Sequence, residues 1–106
     1  MSQLRGSLVT TAWVLTELAD GLAGQSTRGT FITLERRLRG DPRMVIVECG
    51  AELHNRGLEL YRSRPDKNWS LSDCISFVVM ADRGINAALT ADHHFEQAGF
   101  NALLKT

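Results

Sequence analysis

Three carboxylates stand where an α/β chain would use them for chemistry. Glu17 lies early in a helical stretch that follows an apolar run, Asp73 comes three residues after Ser70 at the start of another, and Asp92 directly follows a third apolar run. Oxygen ligands of this kind suit a hard dication such as Mg²⁺, which keeps several waters and is held by a few carboxylates together with substrate phosphate. A cation so held activates a water and neutralises charge developing on a phosphodiester. Each acid also has a plain structural reading: Asp73 as a first-turn residue favoured by the helix dipole, Asp92 as a turn residue, Glu17 as a solvated one. His93 and His94 come directly after Asp92, and adjacent histidines on one helical turn are not expected to share an ion; both read as exposed or substrate-facing. Arg62, Arg64 and Lys67 form a basic cluster in a polar loop, of the kind that meets phosphates or is simply solvated. Trp69 offers a stacking face, yet beside an apolar helix start it reads as core, together with Trp13, Phe31, Phe77 and Met80.

The elements that must carry these side chains are legible in the spacing. Leu8, Val9 and Thr10 suit a strand. From Trp13 onward Trp13, Val14, Leu18 and Leu22 share one helical face, with Gly21 and Gly24 at the exit. A second helix is predicted over 30–39 with Phe31, Leu34 and Leu38 inward, ending at Gly40 before the Asp41-Pro42 turn. Met44–Val47 is a continuous apolar run and predicts a strand buried on both faces. Helical spacing returns over 51–61, and a proline-broken polar loop covers 62–68. Ser70 and Asp73 have the capping-box form, in which the serine side chain bonds the backbone N–H three residues on and the acid reaches back. That helix is predicted to run to Arg83 and stop at Gly84. A strand over 87–90, one helical turn over 93–98 and a last strand over 100–104 complete the chain. Strands alternating with helices argue a parallel sheet with helices on both faces. Ligands in such folds bind beyond the carboxyl ends of the strands, where Glu17, Asp73 and Asp92 would converge.

Composition bounds the reading without deciding it. A chain of 106 residues with 43% hydrophobic and 23% charged residues is ordinary for one globular domain over 1–106. Twelve basic residues balance twelve acidic ones, so any attraction to nucleic acid has to be local. Cys49 and Cys74 have no motif spacing and read as reduced, buried thiols. The start has no apolar run of the secretory type and no stretch approaches a membrane span, so a cytoplasmic protein is expected.

Three blocks carry a family resemblance: Trp13-Val14-Leu15-Thr16-Glu17-Leu18-Ala19-Asp20, then Trp69-Ser70-Leu71-Ser72-Asp73-Cys74-Ile75-Ser76-Phe77, then Leu89-Thr90-Ala91-Asp92-His93-His94-Phe95, with Gln97-Ala98-Gly99-Phe100 behind them. In order and spacing the chain resembles the PIN-domain ribonucleases of the VapC toxin type. The resemblance implies a three-layer α/β/α fold with a parallel sheet. It also implies that Glu17, Asp73 and Asp92 match the second, third and fourth acids of the family's metal site, and Thr90 the hydroxyl residue that often stands two before the last acid. The function implied is that of an endoribonuclease dependent on Mg²⁺ or Mn²⁺, a homodimer with a small antitoxin as partner. Arg62, Arg64, Lys67 and His93 are then the candidate RNA contacts. The family's first strand, which lies at the centre of the sheet and ends in its first aspartate, has no match: the residues ahead of Leu8 read as the end of a helix. The implied fold therefore lacks its central strand and the implied site one of four acids. The alternative reading is a non-catalytic module of the same fold that binds RNA or an antitoxin-type partner.

Overall fold

The structure, a computed structural model, describes residues 8–90 and 92–104. The helix end expected over residues 1–7 lies outside the described residues. In chain order the elements are β1 (Leu8–Thr11), α1 (Ala12–Gly21), α2 (Arg28–Gly40), β2 (Met44–Val47), α3 (Ala51–Ser63), α4 (Leu71–Arg83), β3 (Ala87–Ala88), α5 (His93–Gln97) and β4 (Asn101–Ala102).

Local chemistry sets the ends of α4, the helix that organises the rest. The capping box forms as the sequence predicts: Asp73 N donates to Ser70 Oγ at 3.0 Å and Ser70 N donates to Asp73 Oδ2 at 3.1 Å. At the other end Gly84 adopts φ 64°, ψ 29°, a left-handed conformation that only glycine adopts without strain. Between the caps, Cys74, Ile75, Ser76, Phe77, Val79 and Met80 are all buried. One cluster of core residues joins Val79 and Met80 to Val9, Ile85 and Ala88, and a second joins Cys74 and Phe77 to Trp69. Trp69 stands edge-on to Phe77 with ring centroids 5.1 Å apart, and its indole N–H donates to Gln97 Oε1 at 3.1 Å. The polar tip is thereby satisfied and the ring is core, as the spacing predicts.

Helices α3 and α4 pack closely because residue 57 is a glycine facing Ile75. Outside that seam a bidentate pair, Arg56 with Asp82 at 2.6 and 2.8 Å, ties the two helices; exposed on both sides, it contributes at most about 1 kcal/mol.

The strands are parallel, but their pairing departs from a single sheet. Among the described residues β1 pairs with β2, Leu8 opposite Met44 through Thr11 opposite Val47, and β3 pairs with β4, Ala87 opposite Asn101. No ladder joins the two pairs among the described residues. Val9 of β1 and Ala88 of β3 nevertheless lie in one buried cluster, joined through Val79 and Met80 of α4 and Ile85.

Several finer expectations are corrected. β2 is not buried on both faces: Val45 is 37% exposed. The strand expected over 87–90 stops at Ala88, since Thr90 turns back so that its N–H bonds Ala88 O at 2.9 Å. The last strand is likewise only two residues long. Leu34 is exposed rather than inward, as is Ile32, and α2 buries no residue fully. Trp13 and Phe31 are half-buried rather than core. Of the two free cysteines, Cys74 is buried but Cys49 is exposed. No helix of the described residues is long and apolar enough to cross a membrane.

Candidate metal centre

The site is assembled from the N-terminus of α4 and the turn between β3 and α5. The capping box fixes the Asp73 carboxylate over the first turn of α4, where the helix dipole favours negative charge. Asp92 is held by two local bonds. Its backbone N–H donates to Thr90 Oγ1 at 3.1 Å, and its Oδ1 accepts from His94 N at 2.9 Å as the N-cap of α5. Thr90 thus fixes the backbone on which Asp92 stands. Both aspartates are caps, so the structural readings of Asp73 and Asp92 are correct as far as they go.

Those caps use only part of each group. Among the described residues Asp73 Oδ1 and Asp92 Oδ2 accept no hydrogen bond, which leaves one oxygen of each carboxylate without a protein partner. The two acids meet at one imidazole. His94 Nδ1 lies 3.2 Å from Asp73 Oδ2 and 3.4 Å from Asp92 Oδ1. The side chains of His94 and Asp73 are 20% and 15% exposed, so the pair is largely shielded. His93 is the outward neighbour, 71% exposed, with its Nδ1 3.7 Å from Asp92 Oδ1 and its ring 4.5 Å from that of His94. Asp92, His93 and His94 each offer a ligand atom within 4.8 Å of the others.

The structure therefore brings Asp73 and Asp92 together and corrects the reading of the histidines. His93 is exposed as expected, whereas His94 is partly buried between the acids. The signal that sequence reasoning passed over was the Asp92-x-His94 spacing at a helix N-cap, which turns the second ring back under the capping carboxylate. Glu17 is exposed on α1, where Leu15 occupies the buried face, and among the described residues it makes no hydrogen bond or ion pair with Asp73, Asp92 or His94.

The donor set fits a dication. Two carboxylates with unused oxygens, partly shielded and beside a helix N-terminus, concentrate negative charge that protein cations leave uncompensated. Among the described residues, Asp73 and Asp92 form no ion pair with a lysine or arginine. Next to Asp73, burial and the neighbouring carboxylate push the Cys74 thiol up, which keeps it an inert core group.

The basic loop lines a hollow whose wall includes Cys74, the residue after Asp73. Arg64 is engaged internally: its guanidinium makes two 3.0 Å bonds to Asp66, holding that carboxyl down to about 2, and lies 5.2 Å from the Trp69 ring centroid. Arg62 reaches Glu59 only at 3.9 Å. Arg62, Arg64 and Lys67, with Tyr61 and Trp69, line this shallow hollow of about 480 Å³.

Comparison with known proteins agrees with this architecture. The family model described as PIN domain matches residues 1–101. The fold superposes on VapC20 of Mycobacterium tuberculosis, described as a toxin that cleaves the sarcin-ricin loop, with a TM-score of 0.80 and 24% sequence identity. The superposition covers 90% of this chain and 72% of that one. Among curated proteins none matches the chain.

Proposed function

This chain belongs to the PIN-domain family, and on that premise we propose that it is a metal-dependent endoribonuclease of the VapC toxin type, acting in the cytoplasm. The observation that carries the reading is the approach of Asp73 and Asp92 to one partly buried imidazole, that of His94, each with an unused carboxylate oxygen. Asp73 and Asp92 would hold Mg²⁺ or Mn²⁺, with Glu17 on α1 as an outer acid reached through water. A dication bound there supplies an activated water and a positive charge against the phosphodiester. The chain's own part is positional. The Ser70–Asp73 box and the Thr90–Asp92 bond hold the two carboxylates before any ligand arrives, so little ordering is left to be done on binding. Arg62, Arg64, Lys67 and His93 are proposed to guide the RNA backbone, His93 from beside the acids and the loop cations from the neighbouring hollow.

The expected result is cleavage of a generic RNA that requires Mg²⁺ or Mn²⁺ and disappears with EDTA. Cleavage that persists in EDTA would remove the reading. The rival, a non-catalytic module binding RNA or an antitoxin-type partner, is favoured by one observation, that Glu17 is exposed and makes no hydrogen bond to the histidine that both aspartates approach. RNA binding by gel shift, with no cleavage at any dication concentration, would establish it instead.

The same reading includes a homodimer neutralised by a small antitoxin. Leu18 on α1 and Ile32 and Leu34 on α2 are 38%, 48% and 37% exposed, an apolar surface that a second copy would cover. Light scattering is expected to give twice the chain mass, and Ile32→Glu to give the monomer. A monomer at high concentration would count against this surface.

A further inference from the structure

Resting on the RNA-binding part of the reading above, we infer that the hollow between the last turn of α3 and the first turn of α4 is a subsite for one unstacked nucleotide of the RNA strand, its base stacked on Tyr61. The hollow measures about 480 Å³, within the roughly 300–1,000 Å³ of small-molecule sites and too small for a duplex. Its wall is built and locked. Arg64 lies 5.2 Å from the Trp69 ring centroid and is pinned there by two 3.0 Å bonds to Asp66. Trp69 is buried with its indole N–H tied to Gln97 Oε1, and Lys67 N closes a turn on Arg64 O at 3.1 Å.

The other groups that line the hollow are left unsatisfied. Tyr61 is 49% exposed, and among the described residues neither its hydroxyl nor the Asn68 side-chain amide makes a hydrogen bond. Arg62 reaches Glu59 only at 3.9 Å. Lys67 is half-buried without an ion pair among the described residues, and Asp66 beside it is engaged by Arg64. An aromatic face, a free amide and two uncompensated cations are together what a single nucleotide uses. An unstacked base lies against an aromatic ring whatever its sequence. An amide both donates and accepts at a base edge, and cations meet the phosphates. An acidic peptide would use the cations but not the ring. The wall also includes Cys74, which sets the hollow beside the helix turn that carries Asp73, so a nucleotide held there anchors the strand next to the acids.

The test is fluorescence anisotropy of a labelled single-stranded RNA octamer on the full chain in EDTA, so that binding is read apart from cleavage. Tyr61→Ala is expected to weaken binding by on the order of tenfold, the scale of one base stack, and Tyr61→Phe to stay near the wild type. On a strand of the same length built from abasic units, Tyr61→Ala should change nothing. Lys67→Gln should weaken both strands and lower the salt dependence by about one phosphate contact. Arg83→Gln, at the opposite end of α4, should behave as the wild type. Tyr61→Ala that binds the octamer as tightly as the wild type, or weakens the abasic strand equally, would overturn the base subsite. So would a free mononucleotide or a hexaglutamate peptide bound as tightly as the octamer, or no binding of RNA by the wild type. The Tyr61 effect without cleavage at any dication concentration would support the subsite and overturn the nuclease reading. Cleavage with unchanged binding by Tyr61→Ala would overturn the subsite alone. Melting curves of each variant confirm that the fold, and hence the comparison, is intact.

Discussion

Asp73→Asn and Asp92→Asn are each expected to lower RNA cleavage by on the order of 10²-fold or more, with the fold nearly unchanged. Asparagine is the informative replacement because of where these acids sit. Both are caps, and an alanine at either position would remove a cap worth about 1 kcal/mol along with the charge. Asparagine caps as well as aspartate, so its carbonyl oxygen can still accept from Ser70 N at position 73, or from His94 N at position 92. What it removes is the negative oxygen that no protein group uses. Loss of the favourable charge at the α4 N-terminus costs only about 0.3–1 kcal/mol. Melting curves and cleavage rates, measured side by side, should therefore separate: rates collapse while melting temperatures hold. Glu17→Gln, at an exposed position on α1 that no cap bond fixes, is expected to have the smallest effect of the three. Full activity in both asparagine variants would show that the aspartates are caps and nothing more.

The second large effect is structural. Gly57→Ala is expected to destabilise the domain by about 2 kcal/mol, lowering its melting temperature by roughly 10 °C. In an exposed helix this change would be favourable by about 1 kcal/mol, since alanine is the better helix former. Here a Cβ would overlap Ile75 Cγ1 and lie 3.2 Å from the Cα of the same residue. A side-chain tip can rotate away, but the backbone of α4 cannot, so α3 and α4 must part. The seam they share holds Ile75 and Cys74, both fully buried, directly behind Asp73. The check is a double-mutant cycle. Ile75→Ala alone should cost about 2–5 kcal/mol through the cavity it leaves. Combined with Gly57→Ala it should cost clearly less than the sum, because the methyl at 57 enters the space vacated at 75. Additive losses would place the effect somewhere other than this contact.

The charged groups of the surface carry little of the stability. Arg39 with Glu35 and Glu48, Arg43 with Asp41 and Arg56 with Asp82 are well-formed pairs, yet all are exposed and screened. Stability rests instead on the core clusters around Met80 and Phe77 and on the fully buried Ile75, with Phe77 set edge-on to both Trp69 and Phe95.

Features that depend on neighbours a few residues away were legible in the sequence. Ser70 and Asp73 make the capping box, Gly84 ends α4 and Thr90 takes the backbone N–H of Asp92, because each such bond closes within four residues or less. Helix positions came from the same short-range logic, and the three blocks around Glu17, Asp73 and Asp92 were enough to suggest the family. Features that depend on distant parts of the chain emerged with the packing of the elements. Packing set His94, 21 residues from Asp73, between the two acids. It also left Glu17 in solvent, exposed Leu34 and Val45 where periodicity placed them inward, and split the parallel strands into two pairs. The physical reason is that an apolar residue or a carboxylate declares what it could satisfy, but not which surface will arrive to satisfy it. Period and spacing describe one element at a time, whereas burial and ligand geometry belong to pairs of elements whose approach is set by contacts such as Gly57 on Ile75.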